Sequence, residues 1–186
     1  LDDGNLEKLL YFIEQNDVMK FQSTEFEARF IAELEQDLGQ LKSLQTMWSF
    51  IKVDPKLDEF RSNLTTNPIM AGKKIIVFTE SKETAEYLSE RLKDLYGDRI
   101  VFYSGQSSAT LKVQIEDSFN PKNKSKNNDM YDLLITTDVL AEGINLHRAN
   151  VLVNYDLPWN PTRIMQRVGR INRVGTEFDR IYVFNF

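Results

Sequence analysis

The feature that most constrains this chain is the alternation that begins at residue 72. Short apolar runs recur from there to the C-terminus: Ile75–Phe78, Ile100–Tyr103, Leu133–Ile135, Val151–Val153 and Ile181–Phe184. None alternates apolar with polar, which is the pattern of strands buried on both faces. Helical segments lie between most of them. Ser81 is placed to cap a helix carrying Ala85, Leu88, Leu92 and Leu95 and closed by Gly97; a second carries Leu111, Ile115 and Phe119; a third opens at Asn160-Pro161. Strands alternating with helices specify an α/β fold with a mainly parallel sheet and right-handed crossovers. The polar stretch Asn120–Asp129 reads as a loop.

The residues before this region have a different texture. Leu6, Leu9, Leu10 and Ile13 follow the spacing of one buried helix face, and Phe26, Phe30, Leu34, Leu38, Leu41, Leu44, Trp48 and Ile51 follow it again. Thr24-x-x-Glu27 reads as a capping box, which predicts one helix from Thr24 to Lys52, about 43 Å long, that Gly39 is placed to bend. Asp54-Pro55 then supplies an N-cap and first-turn pair for a short helix ending before Pro68. The expected organisation is a helical insertion or arm over 1–53 and an α/β lobe over 54–186. Nothing in the arm carries an obvious chemistry, so packing is its default use.

Charge divides at nearly the same place. Residues 1–70 carry 13 acidic against 7 basic side chains, whereas the remainder carries 15 against 16, so the overall −5 belongs to the arm. The chain has no cysteine and one histidine, His147. Thiol nucleophiles and Cys/His metal clusters are thereby excluded, and no metal site is expected. His147 reads as a surface or capping side chain. No apolar run approaches the length of a membrane span, and the start at Leu1 carries neither an initiator methionine nor a secretory leader, so a piece of a longer cytosolic chain is expected.

In an open parallel sheet, ligands bind beyond the C-terminal ends of the strands. The loops there are Thr79-Glu80-Ser81, Ser104-Gly105-Gln106, Thr136-Thr137-Asp138 with Glu142-Gly143-Ile144-Asn145, and Asp156 through Asn160. Hydroxyl residues, Gly and Asn there can offer donors to phosphates or simply cap helices. Four such loops at one edge favour a ligand. The helix from Pro161 sharpens this, because Arg163, Arg167 and Arg170 share one side while Ile164, Val168 and Ile171 form an apolar stripe. No acid interrupts Pro161–Val174, so three guanidiniums are expected on display to phosphate, with Gly169 marking a close approach to the backbone. Trp159 reads as packed against its proline-bounded turn, with base stacking as the other use; Lys122, Lys124 and Lys126 read as solvated. There is no G-x-x-x-x-G-K-[ST] loop, so tight ATP binding by this chain alone is not expected.

The sequences KKIIVFTES (73–81), VFYSGQ (101–106), LLITTDVLAEGINLHRANVLVNYDLPWNP (133–161) and QRVGRINRVG (166–175) resemble, in order, motifs IV through VI of superfamily 2 helicases. The resemblance is closest to Swi/Snf-type translocases and their bacterial relatives, although Asn172 stands where many of those have His. It implies the second RecA-like lobe of a two-lobe motor, a three-layer sandwich preceded here by a helical segment.

Carried onto this chain, the resemblance implies that Arg170 and Arg173 reach the γ-phosphate of ATP. Gln166, Gly143 and Asn145 would lie near the nucleotide, with Glu142 and Asp138 as neighbours. Thr79, Ser104, Gly105, Thr136 and Thr137 would touch a nucleic-acid backbone or link it to the ATP cleft. ATP and Mg2+ would be held mainly by an N-terminal RecA-like lobe elsewhere in the parent chain. The implied nucleic acid is DNA, with RNA as the alternative; no membrane partner is implied, and the compartment would be the cytoplasm, or the nucleus of a eukaryote. The competing reading is a non-catalytic nucleic-acid-binding or scaffolding module on the same fold, and the weaker one an unrelated α/β nucleotide-binding regulator.

Overall fold

The computed structural model describes residues 10–13, 21–120, 129–141, 146–172, 176 and 178–186. The chain divides into two compact units, Leu1–Val53 and Asp54–Phe186.

In the first unit, residues 10–13 are helical, and the rest of that expected helix lies outside the described residues. The expected helix from Thr24 does not form as one piece. Ser23–Glu25 make a 3-10 turn in which Glu25 Oε1 accepts from the Gln22 amide at 2.7 Å, and helix α1 runs only over Phe30–Ser49. The capping box fails because Glu27 is taken by Arg29, whose Nε donates to Glu27 Oε2 at 2.8 Å. Arg29 itself is the N-cap and makes no side-chain capping bond. Helix α1 continues through Gly39 and buries none of its residues: Ile31, Leu34, Leu38, Leu41, Leu44 and Trp48 are all exposed.

In the second unit the local signals act as written. Asp54 Oδ1 accepts from the Leu57 amide at 3.0 Å and Pro55 opens α2, Pro55–Thr66. Strand β1 is Ile75–Phe78, and Ser81 Oγ accepts from the Thr84 amide at 3.0 Å to start α3, Lys82–Arg91. A single turn, α4 (Lys93–Tyr96), follows and ends at Gly97, whose φ of +54° a side chain would rarely tolerate. Then come β2 (Ile100–Tyr103), α5 (Ala109–Phe119, capped by Ser108), β3 (Leu133–Thr136), a 3-10 turn (Asp138–Ala141), β4 (Val151–Asn154), α6 (Pro161–Ile171) and β5 (Tyr182–Asn185).

All five strands pair in parallel, in the order β2-β3-β1-β4-β5. The three inner strands β1, β3 and β4 are buried at every position. Strict alternation along the strands sorts their side chains into two cores. Ile75, Val77, Leu133, Ile135, Val151 and Val153 face Leu57, Phe60 and Leu64 of α2 and Ala85 and Leu88 of α3. Ile76, Phe78, Leu134 and Leu152 face Ile115 and Phe119 of α5 and Ile171 of α6. The result is a three-layer sandwich. Strand β5 departs from expectation: its residues alternate half-buried and exposed, because it lies at a sheet edge and only one face is covered.

A cluster of charges closes the N-terminal end of the sheet. Lys74 Nζ pairs with Asp129 at 2.5 Å, Arg148 Nη2 with Asp129 at 2.9 Å, and Arg99 Nη2 donates to Asp132 Oδ1 at 2.7 Å. The hydrogen bond from Arg99 holds Asp132 below the ordinary carboxylate range. At Asp129 burial acts upward, but the Lys74 bond and the Lys74 and Arg148 charges outweigh it and hold the carboxyl low. Burial, followed by the Asp132 charge, pushes Tyr96 up to about 12.

Candidate functional site

The parallel strands bring their C-terminal ends to one edge, and α6 lies along it. Asn160 Oδ1 accepts from the Thr162 amide at 2.9 Å and Pro161 takes the first turn, so the helix starts where the sequence places it. Its arginines are used in three different ways.

Arg167 is entirely buried. Nε donates to Asp138 Oδ1 at 2.6 Å, Nη1 to Asn154 Oδ1 at 3.0 Å and to the Asp156 carbonyl at 3.1 Å, and Nη2 to Glu80 Oε1 at 2.7 Å and Asp138 Oδ2 at 3.1 Å. Five bonds match the five N–H donors of a guanidinium. The group also lies over the Phe78 ring, 5.1 Å from its centroid. Arg163, one turn earlier and half exposed, reaches the same two carboxylates: Glu80 Oε2 at 3.2 Å and Asp138 Oδ2 at 3.4 Å. Arg170, at the last turn, is half-buried, and its carbonyl accepts from the Leu146 amide at 3.4 Å.

The expectation of three guanidiniums displayed together to phosphate is therefore corrected. The helix carries no acid of its own because the acids come from other strand ends, and Arg163 and Arg167 are spent on them. At Gly169 a Cβ would meet no described atom within 4 Å outside its own helix, so the expected close approach is not made by the described residues. Glu80, Asn154 and Asp156 are the residues whose role sequence reasoning missed. The acid-free helix was the available signal, for a buried cation must find its counter-charges somewhere.

The polar loops lie at the same edge. Thr79 and Thr136 are fully buried, and their hydroxyls bond inward: Thr79 Oγ1 to the Ser81 carbonyl at 2.9 Å, and Thr136 Oγ1 to the Tyr103 carbonyl at 3.0 Å. Their side chains hold loops together and offer nothing outward. Ser104 is buried and its Oγ accepts from the Gln106 amide at 3.4 Å, which shapes the turn around Gly105; Gly105 faces Val139, with 3.6 Å between its would-be Cβ and Cγ1. Thr137 is half-buried and Gln166 is exposed. Gly143, Asn145, Glu142 and Arg173 lie outside the described residues, as do Lys122, Lys124 and Lys126.

Two further expectations are corrected. Trp159 does not pack on its turn but is fully exposed, with Leu157 and Met165 exposed nearby in sequence. His147 is buried, which removes the surface half of its expected reading and leaves the capping half.

This arrangement has relatives. A family profile described as the helicase conserved C-terminal domain matches residues 56–175. The chain belongs to the helicase C-terminal domain family. Within that family it is the second lobe of superfamily 2, and its sheet is RecA-like. It is 39% identical over 112 residues to an uncharacterized ATP-dependent helicase, YqhH, of Bacillus subtilis, covering 60% of this chain and 18% of that protein. It is 31% identical over 148 residues to the RNA polymerase-associated protein RapA of Erwinia tasmaniensis, covering 79% and 13%. Among solved structures, Saccharomyces cerevisiae Dbp5 bound to RNA and ADP BeF3 shares 28% identity at a TM-score of 0.54, covering 70% of this chain and 32% of that one. The C-terminal part of the Fun30 ATPase domain shares the fold at a TM-score of 0.58 and 21% identity, over 70% and 39%. This helicase C-terminal domain thus spans well under half the length of curated relatives such as YqhH and RapA. No helix among its described residues is long and apolar enough to cross a membrane.

Proposed function

We propose that this lobe completes an ATP site shared with a first RecA-like lobe of the parent chain, in an ATP-dependent helicase or translocase. The observation that carries the reading is the convergence, at one sheet edge, of the loops after β1, β2 and β3 with the arginine-bearing end of α6. The residues fit a phosphate and not its metal. Helix α6 brings Arg170 to this edge, while Glu80 and Asp138 are already neutralised by Arg163 and Arg167, so among the described residues no uncommitted carboxylate pair is left there for Mg2+. Mg2+ and the bulk of ATP would rest on the first lobe, the metal supplying charge neutralisation there.

In this reading Arg170 and Arg173 take the γ-phosphate and stabilise charge in the transferring phosphoryl group. Gln166, Gly143 and Asn145 line the nucleotide. Ser104, Gly105 and Thr137, held by the buried Thr79 and Thr136, present loop backbone to the phosphates of one strand, which grips without reading sequence. Exposed Trp159 adds a stacking surface. DNA is the proposed track, on the motif resemblance to Swi/Snf-type translocases; RNA is the alternative, which the likeness to Dbp5, solved bound to RNA, favours. The segment 1–53 is proposed as a helical insertion or arm, and the parent protein as acting in the cytoplasm or the nucleus.

The test is Arg170→Ala in the full-length parent. Nucleotide binding should persist while stimulated turnover falls by roughly 10³-fold or more, the effect of losing an arginine finger. Normal turnover would overturn the reading, and stimulation by RNA but not by duplex DNA would overturn the choice of track.

A further inference from the structure

We propose that Arg167 is a positioning residue: it ties the loops after β1, β3 and β4 to the end of α6 that bears Arg170, so that nucleic acid gripped at the β3 loop, where Thr137 precedes Asp138, sets the rate of ATP turnover. This rests on the reading above that the lobe completes an ATP site.

Arg167 is a charge with no way out. The guanidinium is wholly buried with every N–H committed. Its partners come from three separate strand ends, Glu80 after β1, Asp138 after β3, and Asn154 with the Asp156 carbonyl at β4. If one of these loops shifts and the helix does not follow, a charge-assisted bond breaks at a guanidinium that is itself wholly buried, although Glu80 and Asp138 keep partial exposure. The loop and the helix are therefore expected to move as one body.

The surroundings tighten the link. The Glu80 amide donates to Asp156 Oδ2 at 3.2 Å, and Asp156 Oδ1 takes Lys56 Nζ at 3.2 Å, so the β1 and β4 loops are joined independently of Arg167. Arg163 holds the outer oxygens of Glu80 and Asp138. Arg170 follows Arg167 by three residues in the same helix, where rigid backbone hydrogen bonding carries any rotation onward. The nearest of the gripping loops is adjacent to the same partners: Thr79 precedes Glu80, and Thr137 precedes Asp138. Lysine cannot replace this arginine, because a single ammonium lacks the planar fork that reaches three strand ends at once.

The experiment uses the full-length parent protein with Arg167→Lys, Glu80→Gln, the double variant and Arg170→Ala. ATP turnover is measured against ATP concentration, with and without a DNA duplex and an RNA oligonucleotide, alongside oligonucleotide affinity. Arg167→Lys should lower nucleic-acid-stimulated kcat about tenfold and Glu80→Gln about threefold, with KM for ATP and oligonucleotide affinity both held within about threefold. The double variant should be no worse than Arg167→Lys alone, since both act through one network. Stimulated kcat within about twofold of wild type in both single variants, or losses that multiply in the double, would overturn the proposal. Should Arg167→Lys fail to fold, Glu80→Gln alone decides by the same criterion. If wild type responds to neither nucleic acid, the functional reading fails and this inference with it. If wild type responds, Arg170→Ala is inactive and the two single variants are normal, this inference alone fails.

Discussion

At the C-terminal end of the sheet, charges converge on one buried guanidinium; at the N-terminal end, five charged side chains share contacts among partly exposed groups. The acids are alike, Glu80 and Asp138 being 37% and 28% exposed and Asp129 and Asp132 about 30%, but Arg167 has no exposed surface whereas Arg99 is 47% exposed. The same residue types and similar distances therefore mean different things. In low dielectric an unpaired charge is costly, so the first cluster dictates where its loops sit; in contact with water the second cluster fastens a loop with modest force.

The largest effect expected from this contrast is at Arg167. Arg167→Met should cost about 3 kcal/mol in urea unfolding of this chain, because the buried Asn154 and the partly exposed Glu80 and Asp138 lose a shared, wholly buried partner. A loss below about 1 kcal/mol would erase the distinction between the two ends. At the opposite end, Asp132→Asn should cost about 1 kcal/mol at neutral pH.

Acid separates the clusters further. Asp129 and Asp132 have carboxyls held below their ordinary range, so their stabilisation is complete above the unfolded pKa near 4 and is lost as pH falls through the depressed folded values. The unfolding midpoint should therefore drop in that acid window, and less steeply in Asp132→Asn; an unchanged slope would show that the pairing contributes nothing. The smallest effect is expected at Arg163, which touches the same acids as Arg167 but from a half-exposed position. Arg163→Ala should cost only a few tenths of a kcal/mol, and a cost approaching that of Arg167 would show that burial is not what distinguishes them.

The strands were legible because each inner one is a run of β-branched and apolar residues with no polar member to mark a face. Asp54, Ser81, Ser108 and Asn160 were legible as caps because capping is settled within three residues. The Thr24 capping box was misread for the same local reason in reverse: Arg29 competes for Glu27 from two residues away. Trp159 was misplaced because a proline-flanked aromatic looks as if it should pack, and nothing in sequence says whether a surface is there to receive it.

For the edge itself, helical periodicity identified Arg163, Arg167 and Arg170 as neighbours on one side of α6, and the missing acids were visible too. Alone, the sequence determined a doubly covered parallel sheet, the loops at its C-terminal edge and the helix that crosses it. It did not determine which arginines would be taken by the acids of other strand ends. Glu80 and Arg167 are 87 residues apart, and that pairing exists only because parallel strands deliver their ends to the same edge. Periodicity orders side chains within one element, whereas charge is neutralised by whatever the fold brings near, and only the tertiary structure decided that.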